Sequence, residues 1–295
     1  VSASNPRSNS PRIVVLGSIN MDLITRTPAL PEPGETVLGT SFDTAPGGKG
    51  ANQAIAASKS GARVSFVGAV GDDEFGPTLR HTLTSAGVDD RALRTAAGAS
   101  GIAAITVDDR AENSIVVVAG ANGGVHELTD DDLAIIDEAD ILLCQLEIPL
   151  ETVLAAFEYA HSHDIVTMLN PSPVRDLPDA LVAATDVLVV NEAEEARIGS
   201  RADDIEHVVT TLGARGARYR GSESFDVPAP KVEAVDTTGA GDAFAGALAA
   251  SWSSGPRAAV EWAVAAGAFA ATGAGASASS GTTSQIQSLR SSDAR

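Results

Sequence analysis

Cysteine is nearly absent from this chain of 295 residues, with Cys144 the single example. One thiol excludes an internal disulfide framework and points to a reducing compartment, with the cytoplasm as the expected location. Cys144 closes the apolar run Ile141-Leu142-Leu143-Cys144, so a buried, inert thiol is expected. Aromatic residues make up only 4% of the chain. That disfavours an aromatic-filled sandwich and favours helices packed on a sheet through small side chains. Nowhere is there a run of about 18 apolar residues, the length needed to span a membrane. The histidines (81, 126, 161, 163 and 207) lack metal-ligand spacing, and no internal repeat is visible. Positive charge is scarce as well: 20 Lys and Arg face 39 Asp and Glu, a net charge of −19. Such a chain repels nucleic acid and anionic membranes, so neither is expected as a partner. It also repels ATP and sugar phosphates, so a site for either needs local positive charge.

The apolar content, 44%, is enough for an ordinary globular core. Residues 12–17 (RIVVLG) are β-branched, apolar and closed by glycine, the pattern of a buried strand. The same pattern returns at 64–70, 141–146, 165–169, 187–190 and 208–212, with helical stretches at 50–60, 74–85, 150–162, 177–184, 192–198, 243–252 and 257–272. Alternating units of this kind make a mostly parallel sheet covered by helices on both faces. Residues 102–107 and 114–119 form a hairpin that breaks the rhythm, which suggests a lid outside the main sheet. Residues 1–11 and 286–295 are polar and are expected to be tails around one domain over 12–285. The expected lid comprises about 19–45 and 100–122.

The strands end repeatedly in Asn, Asp, Glu or Gly, and ligands of open α/β sheets bind at those carboxyl ends. Asn20 and Asp22 follow the first strand and, in an extended segment, share a face. Together they suit a pair of hydroxyls, or equally an Asx-turn. Gly47-Gly48-Lys49-Gly50-Ala51-Asn52-Gln53 opens a helix. It resembles a phosphate loop without the Walker spacing. Near the other end stands Asp236-Thr237-Thr238-Gly239-Ala240-Gly241-Asp242-Ala243-Phe244. Gly239, Ala240 and Gly241 lead into a helix whose unpaired N–H groups attract an anion. Asp242 is awkward there. It is either an N-cap or a base placed to take a proton from a nucleophile that attacks phosphorus.

These two motifs, with Gln145-Leu146-Glu147, Asn191-Glu192-Ala193-Glu194 and Thr211-Leu212-Gly213-Ala214-Arg215-Gly216 between them, resemble the ribokinase (PfkB-type) carbohydrate kinases over residues 12–279. The resemblance implies a three-layer α/β/α fold with a mostly parallel central sheet and a small β lid. It implies ATP-dependent phosphorylation of D-ribose at O5, or of another sugar or a nucleoside on the same fold. Asn20, Asp22, Gly48, Lys49, Asn52 and Glu147 would bind the sugar, with Asp242 as general base. Gly239, Ala240 and Gly241 would form the anion hole. Asn191 and Glu194 would organise Mg²⁺. Thr211, Gly213, Ala214, Arg215 and Gly216 would bind the nucleotide with Asn191 and Gly241. Asp236 and Thr238, with Ala270, Gly273, Gly275 and Ser279, would hold an activating K⁺. The lid would serve as the clasp of a homodimer. Two departures stand out. The chain is short between Asn191 and Thr211, and Val264, Ala265 and Ala266 occupy the helix where relatives place a polar residue near adenine. An apolar adenine pocket is therefore expected.

Overall fold

The computed structural model describes residues 10–110 and 112–293. The tail expected over 1–11 therefore falls, up to residue 9, outside the described residues. The strands are β1 (Arg12–Leu16), β2 (Asn20–Thr27), β3 (Ser41–Gly47), β4 (Arg63–Gly71), β5 (Leu93–Ala96), β6 (Gly101–Asp108), β7 (Asn113–Val118), β8 (Ile141–Gln145), β9 (Val166–Asn170), β10 (Val187–Asn191), β11 (His207–Thr211), β12 (Ala217–Arg220) and β13 (Ser224–Val227). The helices are α1 (Lys49–Lys59), α2 (Gly76–Ser85), α3 (Asp130–Ile136), α4 (Leu150–Ser162), α5 (Asp179–Ala183), α6 (Glu192–Ile198), α7 (Ala240–Ser251), α8 (Pro256–Ala270) and α9 (Thr283–Asp293). Among the described residues no helix is long and apolar enough to cross a membrane.

Nine strands form one sheet in the order β13-β12-β11-β10-β9-β8-β1-β4-β5. All neighbours are parallel except β11–β12 and β12–β13. Alternation along β1 divides the core. Ile13 and Val15 pack with residues of α1, α7 and α8, whereas Val14 and Leu16 pack with residues of α4 and α5. The sheet is thus covered on both faces, a three-layer α/β/α arrangement. The chain runs outward from β1 through β4 in one direction and through β8 in the other, so the carboxyl end of β1 lies at a topological switch point.

The hairpin of β6 and β7 does lie outside the main sheet. With β2 and β3 it builds a second sheet in the order β3-β2-β6-β7, in which only the β2–β6 pair is parallel. Small residues bring α1 and α7 together. A Cβ on Gly246 of α7 would strike the Gln53 carbonyl and lie 2.8 Å from the Ala56 methyl of α1. This contact sets the first turn of α7 beside the first turn of α1.

Four elements depart from the sequence reading. Strand β5 and helix α3 had no clear apolar period. The helix expected at 177–184 is the shorter α5. The polar tail expected over 286–295 is for most of its length helix α9, with residues 294 and 295 outside the described residues. Ile286 is fully buried among Ala247, Ala265 and Ala266, and Arg290 pairs with Glu261 at 3.1 Å. One well-buried apolar residue docks a helix that composition alone marks as solvated.

Candidate active site

Polar residues at or just past the carboxyl ends of β1, β8, β9, β10 and β11 meet the first turns of α1 and α7 in one cleft. The α1 helix starts at Gly48, whose φ of 91° is open to glycine and whose added Cβ would lie 2.8 Å from the Asn20 amide nitrogen. That close approach holds the α1 N-terminus against the β1–β2 junction. There the Lys49 N–H donates to Glu147 Oε2 at 3.1 Å, and Ser18 Oγ donates to the same oxygen at 2.5 Å. Asn20 is buried, and its Oδ1 accepts from Asn122 Nδ2 at 2.7 Å. Asn122, 1% exposed, also donates to the Ile19 carbonyl and accepts from the Ile19 N–H. With its acceptor occupied, Asn20 presents N–H donors, while Asp22 supplies an acceptor.

Asp242 lies in the first turn of α7 and is 8% exposed. It is not the N-cap; Gly239 is, in a left-handed conformation with φ 76°. Both carboxylate oxygens accept hydrogen bonds from α1, Oδ2 from Asn52 Nδ2 at 3.1 Å and Oδ1 from Gln53 Nε2 at 2.9 Å. Asn52 Oδ1 is buried with no protein partner, an acceptor that a hydroxyl donor would satisfy. Charge is concentrated in this cleft. Burial foremost, then the negative charges of Glu147 and Asp242, push the Asp22 carboxyl up to about 7. Asp242 holds the Lys49 ammonium above its ordinary value; burial opposes this, and Glu147 and Glu194 reinforce it. Lys49 is thus a local cation of the kind an anion needs in so acidic a chain.

Next to Asp242 a cavity of about 130 Å³ is lined by Lys49, Asn170, Asn191, Glu194, Thr211, Gly239 and Gly241 among others. Asn191 and Glu194 form a reciprocal capping box at the start of α6. Asn191 Oδ1 accepts from the Glu194 N–H at 2.8 Å, and Glu194 Oε2 accepts from the Asn191 N–H at 2.9 Å. A larger cavity of about 500 Å³ shares Thr211 and Gly241 with the first. Gly213, Ala214 and Gly216 line it together with Phe244, Val264 and Gly267. Of the three residues expected at an apolar wall, Val264 lines the cavity, whereas Ala265 and Ala266 pack with Ala247 and Ile286. Arg215 is not among the lining residues, and its guanidinium pairs with Glu192 at 2.5 Å. Sequence reading missed the segment from Ala229 to Ala234, of which Ala229, Pro230, Lys231, Val232 and Ala234 line this cavity. It is irregular and carries no periodic signal.

Of the residues expected to hold a cation, Asp236, Thr238, Gly275 and Ser279 are linked by hydrogen bonds. Asp236 Oδ1 accepts from the Thr238 N–H at 2.9 Å and Oδ2 from the Gly275 N–H at 3.1 Å. Burial pushes the Asp236 carboxyl up, but the hydrogen bonds from Thr238 and Gly275 outweigh it and hold the group below the usual range. Ser279 Oγ donates to the Gly275 carbonyl at 2.5 Å, and a Cβ on Gly273 would lie 3.0 Å from that of Ser279. Cys144 is fully buried, and burial pushes its thiol up, as expected of an inert group.

Residues 10–283 match the pfkB family carbohydrate kinase model. The chain belongs to that family. It is 42% identical to the ribokinase of Bacillus subtilis over 246 residues, 80% of this chain and 84% of that protein. It is 37% identical to the deoxyribokinase of Salmonella typhimurium over 286 residues, 89% of this chain and 93% of that one. The structure of Arabidopsis thaliana ribokinase complexed with ribose and ATP superposes with a TM-score of 0.88 at 28% identity, covering 95% of this chain and 98% of that one. The family and the three-layer fold implied by the sequence motifs are thereby borne out.

Proposed function

We propose that this member of the pfkB family is a ribokinase, which transfers the γ-phosphoryl group of ATP to O5 of D-ribose. The observation that carries the reading is the position of Asp242, between a polar pocket built on Asn20, Asp22, Lys49, Asn52 and Glu147 and a cavity large enough for a nucleotide. Asn20 and Asp22 supply a donor and an acceptor for neighbouring sugar hydroxyls, and Glu147 and Lys49 close the pocket. The sugar hydroxyl has a pKa far above neutrality, so Asp242 takes its proton as the oxygen attacks phosphorus. The new O–P bond forms as the β–γ bridging bond breaks, and ADP departs. The N–H groups of Gly239, Ala240 and Gly241 at the start of α7 support the negative charge of the transferring group.

The residues present suit a divalent metal carried by ATP. Glu194 and Asn191 would organise Mg²⁺ beside Lys49, and the ion would neutralise phosphate charge. The Asp236 carboxylate, the Thr238 carbonyl and the loop carbonyls near Ala270, Gly273, Gly275 and Ser279 would supply oxygen ligands suited to K⁺, and the hydrogen bonds that join Asp236 to Thr238 and Gly275, and Ser279 to Gly275, support their proximity. The lid supports a homodimer reading. Phe42 on β3 and Ile115, Val116, Val117 and Val118 on β7 are all exposed, more apolar surface than an isolated edge favours. The single buried thiol suits the cytoplasm.

A second reading, phosphorylation of 2-deoxyribose, is favoured by the likeness to a deoxyribokinase over 89% of the chain. One panel decides between them: D-ribose, 2-deoxy-D-ribose, other pentoses, hexoses and nucleosides assayed with Mg–ATP, with and without K⁺. A ribokinase prefers D-ribose in kcat/KM by at least about tenfold, a difference worth about 1.4 kcal/mol. Preference for a deoxy sugar, a hexose or a nucleoside would overturn the reading. Equal rates in Na⁺ and K⁺ would remove the monovalent site from it.

A further inference from the structure

Behind Asp242 runs a chain of buried amides. Gln145, the last residue of β8, donates from Nε2 to Gln53 Oε1 at 2.6 Å. Gln53 Nε2 donates in turn to Asp242 Oδ1 and to Asn170 Oδ1, each at 2.9 Å. Asn170 is itself held by donation from its Nδ2 to the Val189 carbonyl at 2.8 Å. Gln53 and Gln145 are both 0% exposed. With its oxygen on a donor and both its N–H groups on acceptors, Gln53 has one orientation. Turning the amide over would set its carbonyl against two oxygens and leave a buried donor against another donor.

We infer that Gln53 is a positioning residue for phosphoryl transfer, which aims the Asp242 carboxylate at the sugar hydroxyl and is itself oriented by Gln145. The inference rests on the reading of Asp242 as the base. The chemistry favours an amide at this position. A cation 2.9 Å from the carboxylate would suppress its basicity, and a carboxylate would force the two groups to share a proton. A neutral donor does neither, while preventing rotation. Asn52 acts on Oδ2 in the same way, so each oxygen keeps a lone pair for the incoming proton. The charged groups around Asp242 are Lys49 on α1, Asp22 on β2, Glu147 beyond β8 and, through Lys49, Glu194 on α6.

The test uses the full chain and the variants Gln53→Met, Gln53→Glu and Gln145→Met, with kcat, the KM for ribose and the pH dependence of kcat as readouts. Gln53→Met lowers kcat by about 10- to 100-fold while the ribose KM stays within about threefold, the signature of a misaimed group rather than a lost binding contact. Gln53→Glu moves the acid limb of kcat upward by about one pH unit or more, because its carboxylate stands against Oδ1. The pH profile of kcat reports the substrate-bound enzyme, in which the sugar hydroxyls hold Asp22 ionised. Gln145→Met lowers kcat in the same direction and carries the decision if Gln53→Met does not fold. Variants at 53 that keep more than half of the wild-type kcat and an unmoved acid limb overturn the inference. Asp242→Asn separates the two failures. If it keeps more than about a tenth of wild-type turnover, where loss of a base should cost about 10²-fold or more, the base reading itself falls. If Asp242→Asn is inactive and the Gln53 variants are unchanged, only the positioning role falls.

Discussion

The carboxylate of Asp22 occupies the space that a side chain on Gly47 would fill. A Cβ built on Gly47 would lie 2.7 Å from both Cγ and Oδ1 of Asp22 and closer still to Oδ2. The two residues sit on neighbouring strands of the smaller sheet, where Asn20 pairs with Gly47 and Asp22 with Ala45. A glycine at the end of β3 therefore lets an acid on β2 turn into the cleft. Gly47→Ala is expected to raise the ribose KM by about tenfold or more, the worth of one charged hydrogen bond. The ATP KM should stay within about twofold, because the nucleotide cavity is untouched. Steady-state kinetics with each substrate varied in turn checks both halves.

The raised value of Asp22, about 7, has a definite pH consequence. Between the ordinary carboxylate range and about 7, the folded protein holds a proton at Asp22 that the unfolded chain has released. The stability this confers is fully present below that range and is lost as pH rises through the folded value. Sugar hydroxyls donate to the ionised form, so binding should release this proton. Ribose affinity should then weaken by about tenfold between about pH 8 and pH 6, by linkage. Titration calorimetry in two buffers of different ionisation enthalpy measures the proton release. In Asp22→Asn the release should vanish and the affinity should be low and flat across the window.

Helix α9 belongs to the folded body through Ile286. Truncation to alanine leaves a cavity among Ala247, Ala265 and Ala266 and should cost about 2–4 kcal/mol. A lower denaturant midpoint with an unchanged slope is the expected result. A cost below about 0.5 kcal/mol would mean that α9 contributes no more than a surface substitution does.

Strand β7 provides the test of the dimer. Val116 is 61% exposed, so an aspartate there meets solvent in a monomer and apolar lid surface in a lid-to-lid dimer. Val116→Asp should convert a wild-type dimer into a folded monomer in sedimentation equilibrium, because an unpaired charge is costly to bury. A wild-type chain that sediments as a monomer, or a variant dimer of unchanged affinity, would remove the lid from the interface.

Much of this was legible in the residue order. The β-branched runs ending in polar residues announce parallel strands whose carboxyl ends make a site, and the glycine-rich turns at 47–50 and 239–241 announce the two helix N-termini that meet there. The family follows from the same motifs. Gln53 stands next to Asn52, and Gln145 next but one to Glu147, yet neither had a local signal that separates it from an ordinary buried amide. Asn122 was visible only as a polar residue after the lid hairpin. Asp242 could be read as a cap or a base from its own neighbours alone, because both uses place an acid in the first turn of a helix.

Local pattern by itself determined most of the element types, the alternation that makes a helix-covered parallel sheet and the polar character of its strand ends, because period, turn chemistry and helix-start signals act over a few residues. Only the tertiary structure decided which hydrogen bonds those side chains make. Gln53 and Asp242 are 189 residues apart, Asn122 and Asn20 are 102 apart, and each pair meets because the sheet order and the close packing of α1 on α7 bring them within hydrogen-bond reach. The orientation of an amide and the proton affinity of a buried acid depend on those distant partners, and no local sequence window contains them.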